Sequence, residues 1–332
     1  MKSVFTLGAT ILASLLSFSS AQAATICVYD PGGKTGDYYR MLEEMSLQAS
    51  SWGTDVELKT YTDEATAVND YRAKSCDGVL ATGFRLQKFN NFPTTIEAIG
   101  GLPNYTLLEQ ILQTVTKYES ASRLLVSGEH ETSGIIPIGA AYLFVRDRSI
   151  DTVSELSGKR IATFDYDAPS KEMVKRVGAI IVPADLGTLG PKFNNGDVDA
   201  CYASAPAYGP FELEKGLGQN GGIVRLPLAQ ATLQLVLRKS SFADGFGSKS
   251  RNFFLGKYDE ALRIVKNAEK NIPSQYWIDL PKDSLPGFDD LFQSSRLTLR
   301  EKGAYHKKML NVMFRLRCKQ DASRSECAEG KE

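Results

Sequence analysis

Histidine is nearly absent from this chain, whose 332 residues contain only two, His130 and His306. With so little histidine, and with no serine in a G-x-S-x-G turn, the sequence offers little for acid–base or nucleophilic catalysis. It has no C-x-x-C pair and no histidine near a cysteine, which argues against a metal or redox site. The EHE segment at Glu129–Glu131 is better interpreted as a polar surface loop than as a metal site. We therefore predict a protein that is not an enzyme and needs no cofactor.

An excess of one charge is also lacking, and so is a long apolar run in the body of the chain. Lysine plus arginine and aspartate plus glutamate each number 39, so nothing indicates a nucleic-acid partner. The apolar stretch Val4–Phe18 is shorter than a membrane span and precedes Ala21-Gln22-Ala23, a pattern typical of a signal peptidase site. No cysteine follows that site, as a lipoprotein would require. We predict a signal peptide at residues 1–23, cleaved after Ala23, and a periplasmic mature protein.

Export to an oxidising compartment favours disulfide bonds among the five cysteines, and their odd number leaves one unpaired. Cys27 lies in the first predicted strand and Cys76 begins the third, which would be its neighbour in a sheet ordered second, first, third. Cys318 and Cys327 would close a short loop near the C-terminus. We predict these two disulfides, with Cys201 buried and free.

Two similar βαβαβ units are visible in the sequence. In each, a short apolar strand ends at an aspartate and runs through a polar corner into a helix, once at Thr25–Arg40 and again at Gly158–Val177. Because loops and helix N-termini meet at the carboxyl edge of such a sheet, each unit should have one ligand-facing edge. We predict two lobes whose edges face each other across a cleft.

Two extended segments are predicted to connect these lobes, Gly134–Arg146 and Ala231–Arg238, and the second lobe should end before the latter in a strand of its own near Leu226. Two crossings form a hinge that allows closure around a solute. We place lobe I at residues 24–140 plus about 229–255, lobe II at 141–228, and C-terminal helices packing on both at 256–332. Residues 319–332 are charged and expected to be frayed, and Arg317 belongs to a basic run expected to be solvated.

Acidic and aromatic residues are expected to line the cleft. Carboxylates beside tyrosine rings suit an ammonium or other organic cation through charge pairing and cation–π contact. The alternative is that the aspartates only cap helices and the tyrosines only pack the lobes. The candidates are Asp30, Asp37 and Tyr38 from the first edge, Asp165, Tyr166 and Asp167 from the second, and Tyr202 and Tyr208 from the third strand of lobe II.

Several segments resemble a known family. RDRSIDTVSELSGKRIATFDYD, from Arg146, is similar to the entry into the second lobe of DctP-like receptors of TRAP transporters. CVYDPGGKTGDYYRML and CDGVLATGFR resemble more closely the AdeT-like subgroup, exported proteins named as solute-binding components of RND-type drug efflux systems. The resemblance covers roughly residues 25–317. It implies an α/β, two-lobed periplasmic solute-binding fold of type II, DctP-like, with a long helical C-terminal region.

The sequence departs from the DctP-like pattern at one position. Those receptors usually hold a substrate carboxylate with an arginine in the fifth position of a G-L-K-I-R type segment, and here that position is Ala162. The acid-binding role is therefore not carried over to this chain. If the ligand is an organic acid, Arg85 in the loop of the first lobe is the candidate to bind it.

We favour the hypothesis that the chain is a monomeric receptor that captures a small solute for an inner-membrane transporter, with a cation or amine as the expected solute class. Three alternatives remain open: an accessory component of an RND-type efflux or sensory system, an organic-acid receptor of a TRAP-type transporter that uses Arg85, and an exported enzyme. The absence of a nucleophile–base pair disfavours the enzyme.

Overall fold

The computed structural model describes residues 23–330 and 332, so the predicted signal peptide lies almost entirely outside the described residues. The strands are β1 Ala24–Tyr29, β2 Val56–Tyr61, β3 Gly78–Thr82, β4 Val126–Ser127, β5 His130–Val145, β6 Arg160–Phe164, β7 Ile180–Ala184, β8 Ala200–Ser204, β9 Gly222–Arg238 and β10 Trp277–Ile278. The helices are α1 Asp37–Ala49, α2 Glu64–Arg72, α3 Gly83–Leu86, α4 Asn91–Thr94, α5 Tyr105–Lys117, α6 Glu119–Ser122, α7 Ala168–Arg176, α8 Leu189–Asn194, α9 Leu213–Leu217, α10 Phe246–Gly256, α11 Tyr258–Asn271, α12 Leu285–Glu301, α13 Lys307–Gln320 and α14 Ser325–Glu329.

A single mixed sheet runs through the molecule in the order β2-β1-β3-β9-β5-β8-β6-β7. Strands β1, β2 and β3 are parallel to one another, as are β6, β7 and β8. The two groups lie at opposite ends of a long antiparallel ribbon formed by β5 and β9. The predicted two-lobed α/β fold is therefore confirmed, with the ribbon as the connection between the lobes.

The register of the ribbon shows where the strand ends of the two lobes point. Strand β3 ends with Thr82 opposite Leu233 of β9, and β8 ends with Ser204 opposite Ala141 of β5. Within the ribbon, Leu233 pairs with Ile136 and Ala141 pairs with Ala229, so both strand ends are directed at its middle. The carboxyl edges of the two lobes face each other, as the repeated sequence pattern predicts.

The expectation of two separate strands near Leu226 and after Ala231 is wrong, because β9 is continuous over 17 residues. It pairs with β5 on both sides of residues 225–228, and the register between the two strands has three irregularities. One of them lies beside Gly139, whose φ of +105° is strained for a residue with a side chain. Both ribbon strands pass through both lobes, so no break in the chain marks where one lobe ends. The predicted lobe boundaries therefore stay a prediction.

Two apolar clusters flank the ribbon. One contains Ile26, Leu42 and Val79 of the first lobe with Leu235 of β9, and the other contains Phe144, Ala162 and Phe193. The larger second cluster also includes buried residues of α5, α12 and α13. None of the helices in the described residues is both long and apolar enough to cross a membrane.

The predicted disulfides are confirmed. Cys27 is bonded to Cys76 and Cys318 to Cys327, while Cys201 is free and buried. The first bond links β1 to the segment that leads into its neighbour β3, as the predicted strand order requires.

The prediction that the C-terminal segment is frayed is wrong, as is the assignment of Arg317 to a solvated face. The carboxylates of Glu326 and Glu332 are buried against the guanidinium groups of Arg296 and Arg317. The Cys318–Cys327 bond folds the end of the chain back onto α13, which brings the carboxylates to these arginines. A charged terminal sequence is ordered here because its charges are paired.

Candidate functional site

A cavity of about 330 Å³ lies between the facing edges of the two lobes. Its wall contains residues that follow β1 and β3 on one side and residues that follow β6 and β8 on the other. The lining residues are Tyr29, Asp30, Pro31, Gly32, Gly36, Asp37, Tyr38, Thr82, Phe84, Ile138, Ala141, Phe164, Tyr166, Leu186, Tyr202, Ala203, Ser204, Pro206, Ala207, Pro210, Phe211, Ala231, Leu233 and Ile264. A solute bound there would contact both lobes and the hinge ribbon at once.

A second depression, of about 390 Å³, lies at the far end of the first lobe, where β2 begins and β9 ends. Most of its lining residues are small or polar, and all are exposed or half-buried: Ser50, Gly53, Thr54, Asp55, Ser240, Ser241, Phe242 and Ala243. Convergent buried groups are the mark of a solute site, and this depression has none among the described residues. The cavity between the lobes is therefore the candidate site.

Asp30 has a structural task at the edge of this cavity. Its buried carboxylate accepts hydrogen bonds from the backbone amides of Gly32 at 2.8 Å and of Tyr38 and Tyr39 at 3.0 Å. The carboxylate lies so close to Gly36 that a Cβ there would come within 2.1 Å of it, which requires glycine at that position. Burial raises the pKa of Asp30, and the three amide bonds counteract that rise by stabilising the charged form. Asp30 thus fixes the corner and caps α1.

Asp167 has the corresponding role in the second lobe. It is the N-cap of α7 and accepts a hydrogen bond from the backbone amide of Ser170 at 3.0 Å. The hydroxyl of Tyr202 donates to the same carboxylate at 2.8 Å and accepts bonds from the Ser170 hydroxyl and the Phe164 amide. Complete burial raises the pKa of Asp167, and these bonds counteract it. The ring of Tyr202 lines the cavity, but its hydroxyl is committed to this network.

Two other predicted residues, Asp165 and Tyr208, lie outside the lining of the cavity, and a third, Asp37, lies at its edge. Asp165 lies in the turn after β6 and is exposed, with its carboxylate 3.8 Å from the amine of Lys171, whereas Phe164 and Tyr166 on either side of it line the cavity. Tyr208 is outside the lining and packs its ring on Phe144. Asp37 touches the cavity but is exposed and ion-paired with Arg40.

Arg85 is also outside the lining, where it bridges the lobes. Its Nε bonds to Glu64 at 2.7 Å, and its guanidinium carbon lies 3.8 Å from the ring centroid of Tyr166. Glu64 is buried and also accepts bonds from the amide and hydroxyl of Thr82. An acid-binding role for Arg85 is therefore not supported by its position. Glu64 was missed because it looks like an ordinary surface residue in the first turn of a helix.

The site residues that sequence reasoning missed are mostly apolar. Phe84, Phe164, Leu186, Phe211 and Leu233 all line the cavity. Their position at the carboxyl ends of strands could have indicated them, because Phe164 is the last residue of one strand and Phe84 follows the end of another. Direct ligand contact by Asp30, Asp37, Tyr38, Tyr166 and Tyr202 stays a prediction.

Two tyrosines of the wall form a matched pair for a stability test. Tyr202→Phe is expected to lower the free energy of unfolding by about 2–3 kcal/mol, because it removes the hydrogen bond to Oδ2 of the buried Asp167 and the acceptor of the Phe164 amide. The hydroxyl of Tyr38 is buried with no hydrogen-bond partner in the described part of the chain. Tyr38→Phe is therefore expected to raise the free energy of unfolding by about 1 kcal/mol. Urea unfolding of both variants measures the difference, and equal effects of the same sign would contradict this account.

The fold, with its two lobes and the cleft between them, is that of the two-lobed solute-binding proteins. A TRAP periplasmic solute-binding protein from Desulfovibrio salexigens, solved with bound orotic acid, is similar with a TM-score of 0.70 and 14% identity, over 90% of this chain and 99% of that one. A TRAP solute-binding protein from Rhodoferax ferrireducens, solved with bound malonate, gives 0.69 and 14%, over 90% of this chain and 100% of that one. At these identities the likeness concerns the fold alone.

The chain belongs to the family described as solute-binding protein AdeT 1/2, whose model matches residues 43–332. It is 38% identical over 301 residues to "Probable solute-binding protein AdeT1" of Acinetobacter baumannii, an alignment that covers 91% of this chain and 99% of that protein. It is 27% identical over 231 residues to "Probable solute-binding protein AdeT2" of the same organism, over 69% of this chain and 96% of that protein. The family and its fold are non-enzymatic.

Proposed function

We propose that this protein, as a periplasmic monomer, closes its two lobes over a small solute in the cavity between them and delivers the solute to an inner-membrane transporter. The observation that carries the proposal is the wall of the cavity, to which both lobes and both ribbon strands contribute. A ligand that contacts both lobes binds the closed form more tightly than the open form and shifts the population toward it. Association with an RND-type efflux component stays a prediction from resemblance.

The contact between Arg85 and Tyr166 supports the idea of closure. Arg85 belongs to the first lobe and is held by Glu64, whereas Tyr166 follows the first strand of the second lobe. Stacking of a guanidinium on an aromatic ring contributes about 0.5–1 kcal/mol at a partly exposed site. Because the two partners come from different lobes, this energy exists only when the lobes are together.

Solute binding is tested with a library of amino acids, polyamines, organic acids and drugs. A bound solute is expected to raise the melting temperature and to reduce the radius of gyration measured by small-angle X-ray scattering. The proposal fails if no compound changes either quantity. Binding without any compaction would also contradict it, since the solute would then not lie between closing lobes.

Arg85→Lys is expected to open the ligand-free protein and weaken solute binding roughly two- to fivefold. The variant keeps a positive charge beside Glu64 but loses the flat guanidinium that stacks on Tyr166. The matched control is Arg72→Lys, which removes a similar stack on Phe89 within the first lobe. The radius of gyration should rise only in the Arg85 variant, and the same response in both would contradict the bridging role.

A further inference from the structure

The wall of the interlobe cavity is apolar on both sides. The first lobe and the hinge contribute Phe84, Ile138 and Leu233, and the second lobe contributes Phe164, Leu186 and Phe211. Pro206, Pro210 and several alanines complete that side. Such a surface gains most from contact with apolar solute atoms, because both surfaces lose water on binding.

Neither charged side chain of the wall is free to neutralise an ion. Among the lining residues of the described chain, the charged ones are Asp30 and Asp37, and none is a lysine, arginine or histidine. The three backbone amides that donate to Asp30 compensate its negative charge, and Asp37 is exposed and paired with Arg40. An ion enclosed in this cavity would lose its hydration without gaining an uncompensated opposite charge, which is strongly unfavourable.

The other polar side chains of the wall carry hydroxyl groups, which are uncharged at neutral pH. They belong to Tyr29, Tyr38, Thr82, Tyr166, Tyr202 and Ser204. Two of these hydroxyls are already donated, that of Thr82 to Glu64 and that of Tyr202 to Asp167. The tyrosine hydroxyl of Tyr38 is buried and has no partner in the described part of the chain. The wall can therefore offer a solute aromatic faces and a few neutral hydrogen bonds.

We propose that the cavity selects an uncharged, mainly apolar solute that contains a flat ring, an inference that rests on the proposed receptor function. The cavity volume of about 330 Å³ matches roughly eleven water molecules, the size of a compound with one or two rings. The aromatic side chains on both lobes provide stacked and edge-on contacts for such a ring. Organic anions and cations of the same size are discriminated against because they would be buried without a counter-charge.

A matched series of three indoles tests this selectivity at pH 7. Indole is uncharged, indole-3-acetate is an anion and tryptamine is a cation, and all three share one ring system. Isothermal titration calorimetry should give an affinity for indole at least tenfold higher than for either ion. Equal or tighter binding of an ion overturns the inference, and so does the absence of binding by all three compounds.

The outcomes also separate this inference from the receptor function itself. If a charged library compound binds and compacts the protein, the apolar selectivity is wrong while the receptor function stands. If no compound in the library binds or compacts the protein, the receptor function fails as well.

A substitution in the wall tests whether the missing charge causes the selectivity. Ile264→Arg adds a cation at a half-buried lining position of α11, and it should raise the affinity for indole-3-acetate relative to indole at least tenfold. Ile264→Gln is the control of similar size without charge and should leave the order unchanged. Ser204→Lys repeats the test from the second lobe. Cooperative thermal unfolding of each variant verifies its fold, and an unchanged order in folded variants that carry the new cation contradicts the inference.

Discussion

Replacing Arg317 with methionine is expected to lower the free energy of unfolding by about 3–5 kcal/mol, because it leaves two buried carboxylates paired with one buried arginine instead of two. Arg317 donates to both oxygens of Glu326, at 2.7 and 2.9 Å, to Glu332 at 2.9 Å and to the carbonyl of Gly101 at 2.8 Å. Arg296 binds the same two glutamates. None of these four side chains is more than 5% exposed. Methionine fills similar space but supplies none of these bonds.

Arg315 provides the matched control for this prediction, since it lies on the same helix and is exposed. Arg315→Met should change the free energy of unfolding by less than about 0.5 kcal/mol. Urea unfolding at pH 7 measures both variants. A loss in the Arg317 variant no larger than that in the Arg315 variant would show that the network contributes nothing to stability.

The same network predicts a dependence on pH. Burial alone would raise the pKa of Glu326, but the bonds from Arg317 and the charges of Arg296 and Arg324 outweigh it and lower the pKa from 4.5 to about 2. Because the folded-state pKa is the lower one, this stabilisation is present above pH 4.5 and is lost as the pH falls toward 2. The difference between wild type and the Arg317 variant should therefore be smaller at pH 3 than at pH 7. A difference that is constant over this range would contradict the assignment.

Removing the Cys27–Cys76 bond by a double substitution to alanine is expected to lower the free energy of unfolding by about 4 kcal/mol. The bond joins residues 49 positions apart, and a cross-link over a loop of that length removes much conformational entropy from the unfolded chain. It also ties β1 to the segment leading into β3, the strand whose end forms part of the cavity wall. The variant should therefore lose stability and also bind solute more weakly.

The control for this prediction is Cys201→Ala, which removes a buried thiol that makes no disulfide. This substitution should lower the free energy of unfolding by about 1 kcal/mol, because one packed atom is lost. Urea unfolding with and without dithiothreitol measures the effects. Reductant should lower the free energy of unfolding more in wild type than in the double variant, because the double variant has no Cys27–Cys76 bond to lose. If the double variant is as stable as wild type without reductant, the first bond does not stabilise the fold.

Much of the fold could be predicted because it follows from local patterns. The strand–corner–helix pattern at Thr25–Arg40 and again from Gly158 predicted two similar lobes. The predicted strand order of second, first, third placed Cys27 beside Cys76. The continuity of β9 could not be predicted in this way, since Leu226 and Ala231 read as separate strands until the register with β5 joins them. Strand pairing over such a distance is a tertiary property.

The predicted site lies at the edge of the sheet that borders the cavity, and its predicted acidic and aromatic ligand contacts stay a prediction. Asp30 and Asp167 lie there, yet their carboxylates bind backbone amides, which is the capping alternative that the same residues allowed. Polar residues attract attention in a sequence, whereas the lining side chains of Phe84 and Leu233 are indistinguishable from core residues until the cavity is seen. The hydrogen-bond partners of a side chain decide whether its charge is available to a ligand. Those partners cannot be predicted from the position of the residue in the sequence.

The amino-acid sequence by itself determined that this protein has two related lobes with opposed ligand-facing edges, a pair of disulfides, and no apparatus for catalysis. These properties depend on residue type and spacing, which act over a few neighbouring residues. Only the tertiary structure decided that the charges at the cleft are already used, that Arg85 bridges the lobes, and that the C-terminal glutamates are buried with two arginines. The reason is that pairing and desolvation of a charge depend on groups far away in the chain, with Glu326 bound to Arg296 across 30 residues and Arg85 bound to Glu64 across 21.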